Sequence, residues 1–498
     1  MKKNPVNLSE LIKQMEIVAG SGSFQIPVTG IQFDSRKIQP GNCFIAIRGY
    51  KENGLQYLTD AISRGATSVV FEGKPDDTFP DIPMSLAWIQ VSNARVALSR
   101  LAAAYYNNIA QRMYNVGITG TNGKTTVMSI IYALYNSESP TARIGTLGMF
   151  TQDLSIKTGL TTPESVEMFD FLSQAHKNGC KNLVMEVSSA SLCLHRVDDI
   201  PFSQGIFTSF SGDHLDFHQT MEDYFEAKLL LFKRLGMDDW AIINADDPVC
   251  DKILEQLVCK YLTYGFSENA DIRPLKYKFS LGGIHATLQT PKGKIEIESP
   301  LIGKVNLSNI MAAVASAEIK GISCENITKV LKNFPPVKGR LDTIVKDEFH
   351  VVIDYAHTDK AIEGLLDSLR EIVRKRIIIV FGAGGARDKT KRPRMGKVAS
   401  QKADFVMITS DNPRTEDPHD IVADIIGGFH PDFRDYDIEI QRELAIEKAI
   451  RMAQPGDLVV IAGKGHEDYQ IFKDKTIHFD DYEVVNRVME KIKKEKNA

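Results

Sequence analysis

The chain has 498 residues, 43% hydrophobic and 25% charged, with a formal net charge of −4. That length exceeds the size at which a single core keeps growing, so two or three domains are expected, and the composition is that of a globular protein, not a disordered or fibrous one. The near-neutral charge gives no reason to expect a nucleic-acid or membrane partner, and no stretch approaches membrane-spanning length.

Three blocks follow one another along the chain. Residues 1–107 mix short strand-like runs, Phe44-Ile45-Ala46-Ile47 and Ser68-Val69-Val70-Phe71, with a helical period over Val96 to Tyr106. Met1-Lys2-Lys3-Asn4-Pro5 is followed by no apolar region of the kind an export signal needs. The six cysteines (43, 180, 193, 250, 259 and 324) lack metal-ligand spacing and read as buried or free thiols, so the cytoplasm is the expected compartment. Residues 108–336 open with an apolar run, Tyr114 to Ile118, a glycine-rich turn, and an amphipathic run, Val127 to Leu134. Buried-strand candidates at Asn182 to Val187, Gly205 to Thr208 and Trp240 to Asn244 alternate there with helical stretches, which argues for a parallel sheet flanked by helices. Residues 266–300 alternate in short strands and turns and read as an antiparallel insertion. Residues 337–498 carry strands at Val351-Val352-Ile353, Ile377 to Phe381, Phe405 to Thr409 and Leu458 to Ala462, each followed by polar residues. In open α/β sheets ligands bind outside the carboxyl ends of the strands, so these followers are candidate site residues. The basic tail, Lys491-Ile492-Lys493-Lys494-Glu495-Lys496, reads as a frayed, solvated helix end.

The turn Gly120-Thr121-Asn122-Gly123-Lys124-Thr125-Thr126 carries the most information. Its glycines let backbone N–H groups crowd around a polyphosphate at a helix N-terminus, Lys124 can reach the terminal phosphates, and the Thr125 hydroxyl can ligate Mg²⁺. The general pattern wants a glycine at 118, where this chain has Ile, the nearest upstream being Gly117. Met185-Glu186-Val187-Ser188-Ser189 ends a strand in a carboxylate and two hydroxyls; Glu186 is either a metal ligand or a hydrogen-bonded strand end. Phe207 to His218 packs Asp213, His214, Asp216 and His218 into six residues, and His214 or Asp213 could add a second metal ligand.

Together these segments, with Ala227-Lys228, resemble the Mur ligases, ATP-dependent amide-bond formers of peptidoglycan synthesis. Asp354-Tyr355-Ala356-His357, Phe381-Gly382-Ala383-Gly384-Gly385, Arg387-Asp388-Lys389, Asp411-Asn412-Pro413-Arg414 and Gly463-Lys464-Gly465-His466-Glu467 look like the MurE-type branch, which adds the third residue of the stem peptide. The resemblance spans essentially the whole chain. It implies three α/β domains: a small N-terminal domain for the UDP moiety (1–107), a central parallel-sheet ATPase domain (108–336) and a Rossmann-like C-terminal domain for the amino acid (337–498). It implies ATP and Mg²⁺, a cytoplasmic monomer, and attachment of meso-diaminopimelate to the D-Glu γ-carboxylate of UDP-MurNAc-L-Ala-D-Glu through an acyl phosphate. The catalytic residues would be Lys124, Lys228 and His214, with Lys228 carbamylated by CO₂. Nucleotide contacts would come from Gly120 to Thr126, Asn306, Asn309, Arg340 and Asp354, and metal contacts from Thr125, Glu186, His214 and Lys228. Substrate contacts would come from Ser35, Thr161, Thr162, Ser188, Arg196, Arg387, Asp411, Asn412, Pro413, Arg414, Gly463 and Glu467. Arg414 would grip the distal carboxylate that distinguishes diaminopimelate from L-lysine, because a guanidinium fork matches a carboxylate bidentately. Glu467 would take the distal ammonium.

Several positions depart from the family pattern: Leu55 and Ala190 stand where histidines are usual, Leu194 where a polar residue is, Ser209 for Asn and Asp359 for Pro. Three of these fall around the acceptor. Two further readings therefore stand beside the first: a paralogue that ligates an amino acid to another acceptor, and a non-catalytic nucleotide-binding relative. Substrates divided among domains imply closure around them, with hinges near 107 and 336.

Overall fold

The computed structural model describes residues 4–49, 53–73, 86–213 and 217–497. Runs of apolar residues without alternation, such as Ile377–Phe381 and Leu458–Ala462, are buried on both faces, as strands in the middle of a helix-covered parallel sheet must be.

Three such sheets form. The first has five strands in the order Ile17–Ser21, Ala87–Val91, Ser68–Glu72, Asn42–Ala46, Gly30–Gln32; the first pair is antiparallel and the others parallel. The helix Ala94–Tyr105 packs against it, opened by Asn93, whose side chain accepts from the N–H groups of Arg95 and Val96.

The central sheet has eight strands: Ser155–Ile156, Gly148–Phe150, Thr141–Gly145, Asn182–Glu186, Tyr114–Thr119, Gln204–Phe207, Trp240–Asn244, Lys260–Tyr264. The first two pairings are antiparallel and the rest parallel. Tyr114–Thr119 lies in its middle, with Ile118 opposite Glu186 and Thr119 opposite Phe207. The chain therefore leaves three adjacent strands at one edge, delivering the glycine-rich turn, Glu186 and the Thr208–Asp213 segment together. The segment read as an insertion is a three-stranded antiparallel sheet, Arg273–Ser280, Gly283–Thr290 and Gly293–Ser299, and the nearly all-buried helix Lys304–Lys320 joins its core to that of the central sheet.

The third sheet runs Asp342–Lys346, His350–Asp354, Leu458–Ala462, Ile377–Phe381, Phe405–Ile408, Tyr436–Ile438, parallel except for its first strand. Its carboxyl ends release Asp354, Gly463 and the Thr409–Arg414 segment on one side.

Two local differences from the sequence reading have physical causes. The helix after the glycine-rich turn begins at Lys124, three residues before its apolar period, because Gly123 turns the backbone at φ 88° and its first turn is given to polar residues facing the loop. The basic tail stays helical through Asn497, tied by the pair of Arg451 with Glu495 at 2.8 Å. All six cysteines are free.

A buried ion pair joins the helices Arg442–Met452 and Asp481–Asn497. Arg442 and Asp481 are both fully buried; Arg442 donates to both Asp481 oxygens at 2.8 Å and to the Ala462 carbonyl at 2.9 Å. Removing one partner leaves an uncompensated buried charge, so Asp481→Ala is expected to destabilise this region by about 3–5 kcal/mol. Urea denaturation followed by proteolysis of the third block measures it, and an unchanged midpoint would refute the assignment.

Candidate active site

At Gly120 (φ 142°) an added Cβ would run into the Thr208 hydroxyl, and at Gly123 it would stand 2.7 Å from Asn309 Oδ1. The Ser209 backbone also crowds Gly120, and both glycines hold positive φ, so glycine is the residue that fits. Ile118, where the general pattern has glycine, is buried in the strand before the turn. Thr208 Oγ1 donates to the Asn122 carbonyl (2.6 Å), and Ser209 Oγ accepts from Asn122 N–H (3.0 Å), so the off-pattern Ser209 braces the loop itself. Lys124 Nζ donates to the carbonyls of Gly120 and Thr121, both at 2.8 Å. Desolvation lowers its pKa, opposed by the charges of Glu186 and Asp213.

A cleft of about 370 Å³ separates this loop from the third block; Asn122, Gly123, Thr126, Asn306, Asn309, Arg340 and Asp354 line it. Asn306 donates to the Ile302 carbonyl (3.0 Å) and accepts from Asn309 (3.2 Å), which orients both amides. Arg340 reaches across to Thr125 Oγ1 at 3.4 Å and stacks on Tyr355 at 4.5 Å from the ring centre. Asp354 accepts from the N–H groups of Leu341 and Ala356, both at 2.7 Å, and so shapes the turn that presents Arg340; desolvation raises its pKa.

Glu186 is fully buried at its strand end, its carboxylate accepting from Thr146 N–H (2.9 Å) and Thr146 Oγ1 (3.1 Å). Lys228, on the helix Met221–Phe232, is buried with its Nζ 4.1 Å from the Tyr224 ring centre. Desolvation, then the charge of Lys124, push its pKa well below the ordinary lysine value, with Asp213 opposing. His214 lies outside the described residues.

A second cavity of about 360 Å³ opens beside the first, walled by Asp213, His357 and Asp359 on one side and by Arg387, Asp411, Asn412, Arg414, Gly463 and Glu467 on the other. The hairpin Tyr469–Ile471 with Thr476–His478 clamps the Asp411–Arg414 loop: Gln470 donates to the Asp411 carbonyl (2.6 Å), Ile471 N–H to Asn412 Oδ1 (3.0 Å), and Arg414 N–H to the Ile471 carbonyl (3.0 Å). Pro413 is buried, its carbonyl pressed against Gly385. Arg414 is held in the left-handed region at φ 54°, a conformation that costs a non-glycine residue about 1 kcal/mol or more. Its Nη1 donates to the carbonyls of Gly385 (2.9 Å) and Asn412 (3.4 Å), and among the described residues Nε and Nη2 meet no acceptor. Glu467 accepts from Asn412 Nδ2 (3.0 Å) and Lys464 Nζ (3.1 Å) at Oε2, while Oε1 accepts nothing among the described residues. Arg387 is exposed at the rim.

The residues expected to contact the acceptor gather beside Glu186. Thr162 Oγ1 donates to the Glu186 carbonyl (2.9 Å) and accepts from Ser188 N–H (3.1 Å). Thr161 and Thr146 hydroxyls meet at 3.2 Å, and Arg196 binds Glu164 (2.8 Å) and the Thr162 carbonyl (3.1 Å). Ser35 stands apart, buried in a turn where Asp34 pairs with Arg36 at 2.9 Å. Of the departures, Leu55 packs on the apolar cluster of Phe44 and Leu58, and Asp359 sits in the first turn of a helix, where its charge is favourable, facing Arg394 at 3.3 Å. Ala190 lies within the short helix Ser189–Cys193 and Leu194 at its end, and nothing in the structure explains either. Sequence reasoning gave no role to Thr146 or Gln470, which carry no motif signal, nor to Lys464, although it lies within the quoted Gly463–Glu467 run.

Three family descriptions match the chain: "Mur ligase family, catalytic domain" at residues 27–106, "Mur ligase middle domain" at 118–317 and "Mur ligase, glutamate ligase domain" at 339–465. A UDP-N-acetylmuramoyl-L-alanyl-D-glutamate–2,6-diaminopimelate ligase of Solibacter usitatus is 39% identical over 97% of this chain and 98% of its own length. The protein of the same name from Geobacter metallireducens is 40% identical over 96% of this chain and 98% of its own. A solved structure bearing that name superposes with a TM-score of 0.68 at 31% identity, covering 98% of this chain and 99% of that one. On this similarity over almost its full length, the chain belongs to the Mur ligase family.

Proposed function

We propose that the chain joins meso-diaminopimelate to the D-Glu γ-carboxylate of UDP-MurNAc-L-Ala-D-Glu, using ATP, as a cytoplasmic monomer of peptidoglycan precursor synthesis. One observation carries the choice of amino acid: the second cavity presents a guanidinium edge on Arg414 and a carboxylate oxygen on Glu467 that the protein leaves uncommitted. A side chain ending in both a carboxylate and an ammonium complements that pair; L-lysine brings only the ammonium. Arg387, Asp411, Asn412, Pro413 and Gly463 frame the same cavity.

The chemistry is positioning and charge neutralisation. ATP transfers its γ-phosphoryl group to the acceptor carboxylate, the incoming amine attacks the acyl phosphate, and phosphate leaves from the tetrahedral intermediate. The loop amides of Gly120 to Thr126, with Lys124 and Arg340, hold the phosphates, while Asn306 and Asn309 face the base and Asp354 holds the turn that brings Arg340. Thr125 and Glu186 would supply a hydroxyl and a carboxylate, oxygen donors of the kind Mg²⁺ prefers, the Glu186 charge reaching Lys124 of the same loop, with His214 and a carbamylated Lys228 as further supports. Bound there, Mg²⁺ would neutralise the charge developing on the transferred phosphoryl group. Lys228 itself is prepared for carbamylation: a buried amine with a depressed pKa offers its lone pair to CO₂, forming the carbamate and releasing one proton. Thr161, Thr162, Ser188 and Arg196 bind the muramoyl dipeptide and Ser35 the uridine diphosphate. The joints expected near 107 and 336 are supported by positive φ at Asn107 and Asn108 and, just after the second, at Gly339 and Leu341.

Phosphate release should require ATP, the muramoyl dipeptide and meso-diaminopimelate, and L-lysine should not replace the last. Release with neither amino acid would point to a different acceptor. Arg414→Ala is expected to raise KM for diaminopimelate about 100-fold, the ~2–3 kcal/mol of a charge-assisted fork, and an unchanged KM would remove Arg414 from the site. With ¹³C-labelled CO₂, a carbamate resonance should appear in the protein and grow with rising pH, because only the neutral amine reacts. The lowered pKa places that rise below pH 10.5, and its persistence in Lys228→Ala would overturn the assignment.

A further inference from the structure

Lys464 is fully buried, yet its ammonium touches three side chains of the amino-acid cavity from two separate loops. Nζ lies 3.1 Å from Glu467 Oε2, 3.3 Å from Asn412 Oδ1 and 3.5 Å from Asp411 Oδ1. Asp411 and Asn412 follow the strand Phe405–Ile408, whereas Lys464 and Glu467 follow Leu458–Ala462; in the sheet the strand Ile377–Phe381 lies between these two. Nothing in the sheet's own hydrogen bonds therefore fixes one loop against the other. Asn412 closes the contact, giving its Nδ2 to the same Glu467 oxygen and taking the Ile471 N–H at its Oδ1.

We propose that Lys464 is a positioning residue that sets the charge and direction of Glu467 and thereby its selectivity for an ammonium at the far end of the substrate. This rests on the reading of the cavity as the diaminopimelate site. Two carboxylates, Asp411 and Glu467, face one small volume. Without a cation between them they would repel and one would swing out. The Lys464 ammonium compensates both and engages Glu467 at Oε2 alone. Oε1 is left pointing its remaining negative charge at a ligand. Because Lys464 is buried at the back of the cavity, it acts through Glu467 and not on the substrate. Arg442 strengthens the same arrangement from beneath: it grips the carbonyl of Ala462, two residues before Lys464, and its charge is felt by Asp411 and Glu467.

The experiment compares wild type, Lys464→Met and Lys464→Gln with meso-diaminopimelate and with 2-aminopimelate, which keeps the distal carboxylate but lacks the distal ammonium. Wild type should prefer diaminopimelate in kcat/KM. Turnover of neither amino acid by wild type would instead overturn the cavity reading on which this rests. In Lys464→Met, KM for diaminopimelate should rise about 10- to 100-fold, KM for ATP should stay within about twofold, and the preference over 2-aminopimelate should collapse. Lys464→Gln, which keeps an N–H donor on a side chain one bond shorter, should fold even if the Met variant does not and should lose the preference while losing less kcat. Retention of the wild-type preference in either variant, or a parallel rise of the KM values for ATP and both amino acids, would show a merely structural lysine and overturn the proposal.

Discussion

The site is governed by the need to gather like charges without letting them push the fold apart. Lys124 and Lys228 lie close enough for the field of one to depress the pKa of the other, and both stand in desolvated surroundings. Each is stabilised by something other than water: Lys124 by two loop carbonyls, Lys228 by the face of Tyr224 and the charge of Asp213. The same economy recurs in the third block, where Lys464 sits between carboxylates and Arg442 between Asp481 and a carbonyl. Charges arranged in advance, in a low dielectric, neither reorganise nor wait for solvent when a phosphoryl group arrives.

That arrangement depends on sheet order. Three neighbouring central strands open at one edge, so the phosphate loop, Glu186 and the Thr208–Asp213 segment meet there although nearly a hundred residues separate the first from the last. The third sheet opens toward the same place, and the two cavities share Tyr355 and His357 as a common wall. Desolvation lowers the pKa of His357 on that wall, and it brings that of His466, whose ring lies against Tyr355, down to about 4. The pairing of Arg340 with Thr125 ties the two sheets across the cleft. The two cavities are thereby joined by the same few residues.

The departures from the family pattern sort by location. Ser209 and Asp359 have structural partners, and Leu55 is accounted for by packing. Ala190 on the short helix Ser189–Cys193 and Leu194 at its end remain, beside the residues expected to contact the acceptor. The amino-acid cavity and phosphate loop keep their hydrogen-bond frames throughout.

Much of the architecture was legible in the residues because it is local. Apolar runs bounded by polar followers mark strands that end at a site; Trp240–Asn244, Ile377–Phe381 and Leu458–Ala462 were found at their observed limits. The glycine-rich turn is legible for a local reason too, since Gly120 and Gly123 hold positive φ, although the groups that crowd them, Thr208, Ser209 and Asn309, come from far along the chain. The family motifs named Arg414 and Glu467, and both line the second cavity. What the residues alone left open was partnership across the fold. Nothing in the sequence says that Thr146 would hold Glu186, that Gln470 would clamp Asp411, that Lys464 would bridge two loops, or that Arg414 would take a left-handed turn with half its guanidinium uncommitted. Those features depend on which strand lies beside which and how far each loop reaches, and only packing in three dimensions decides that.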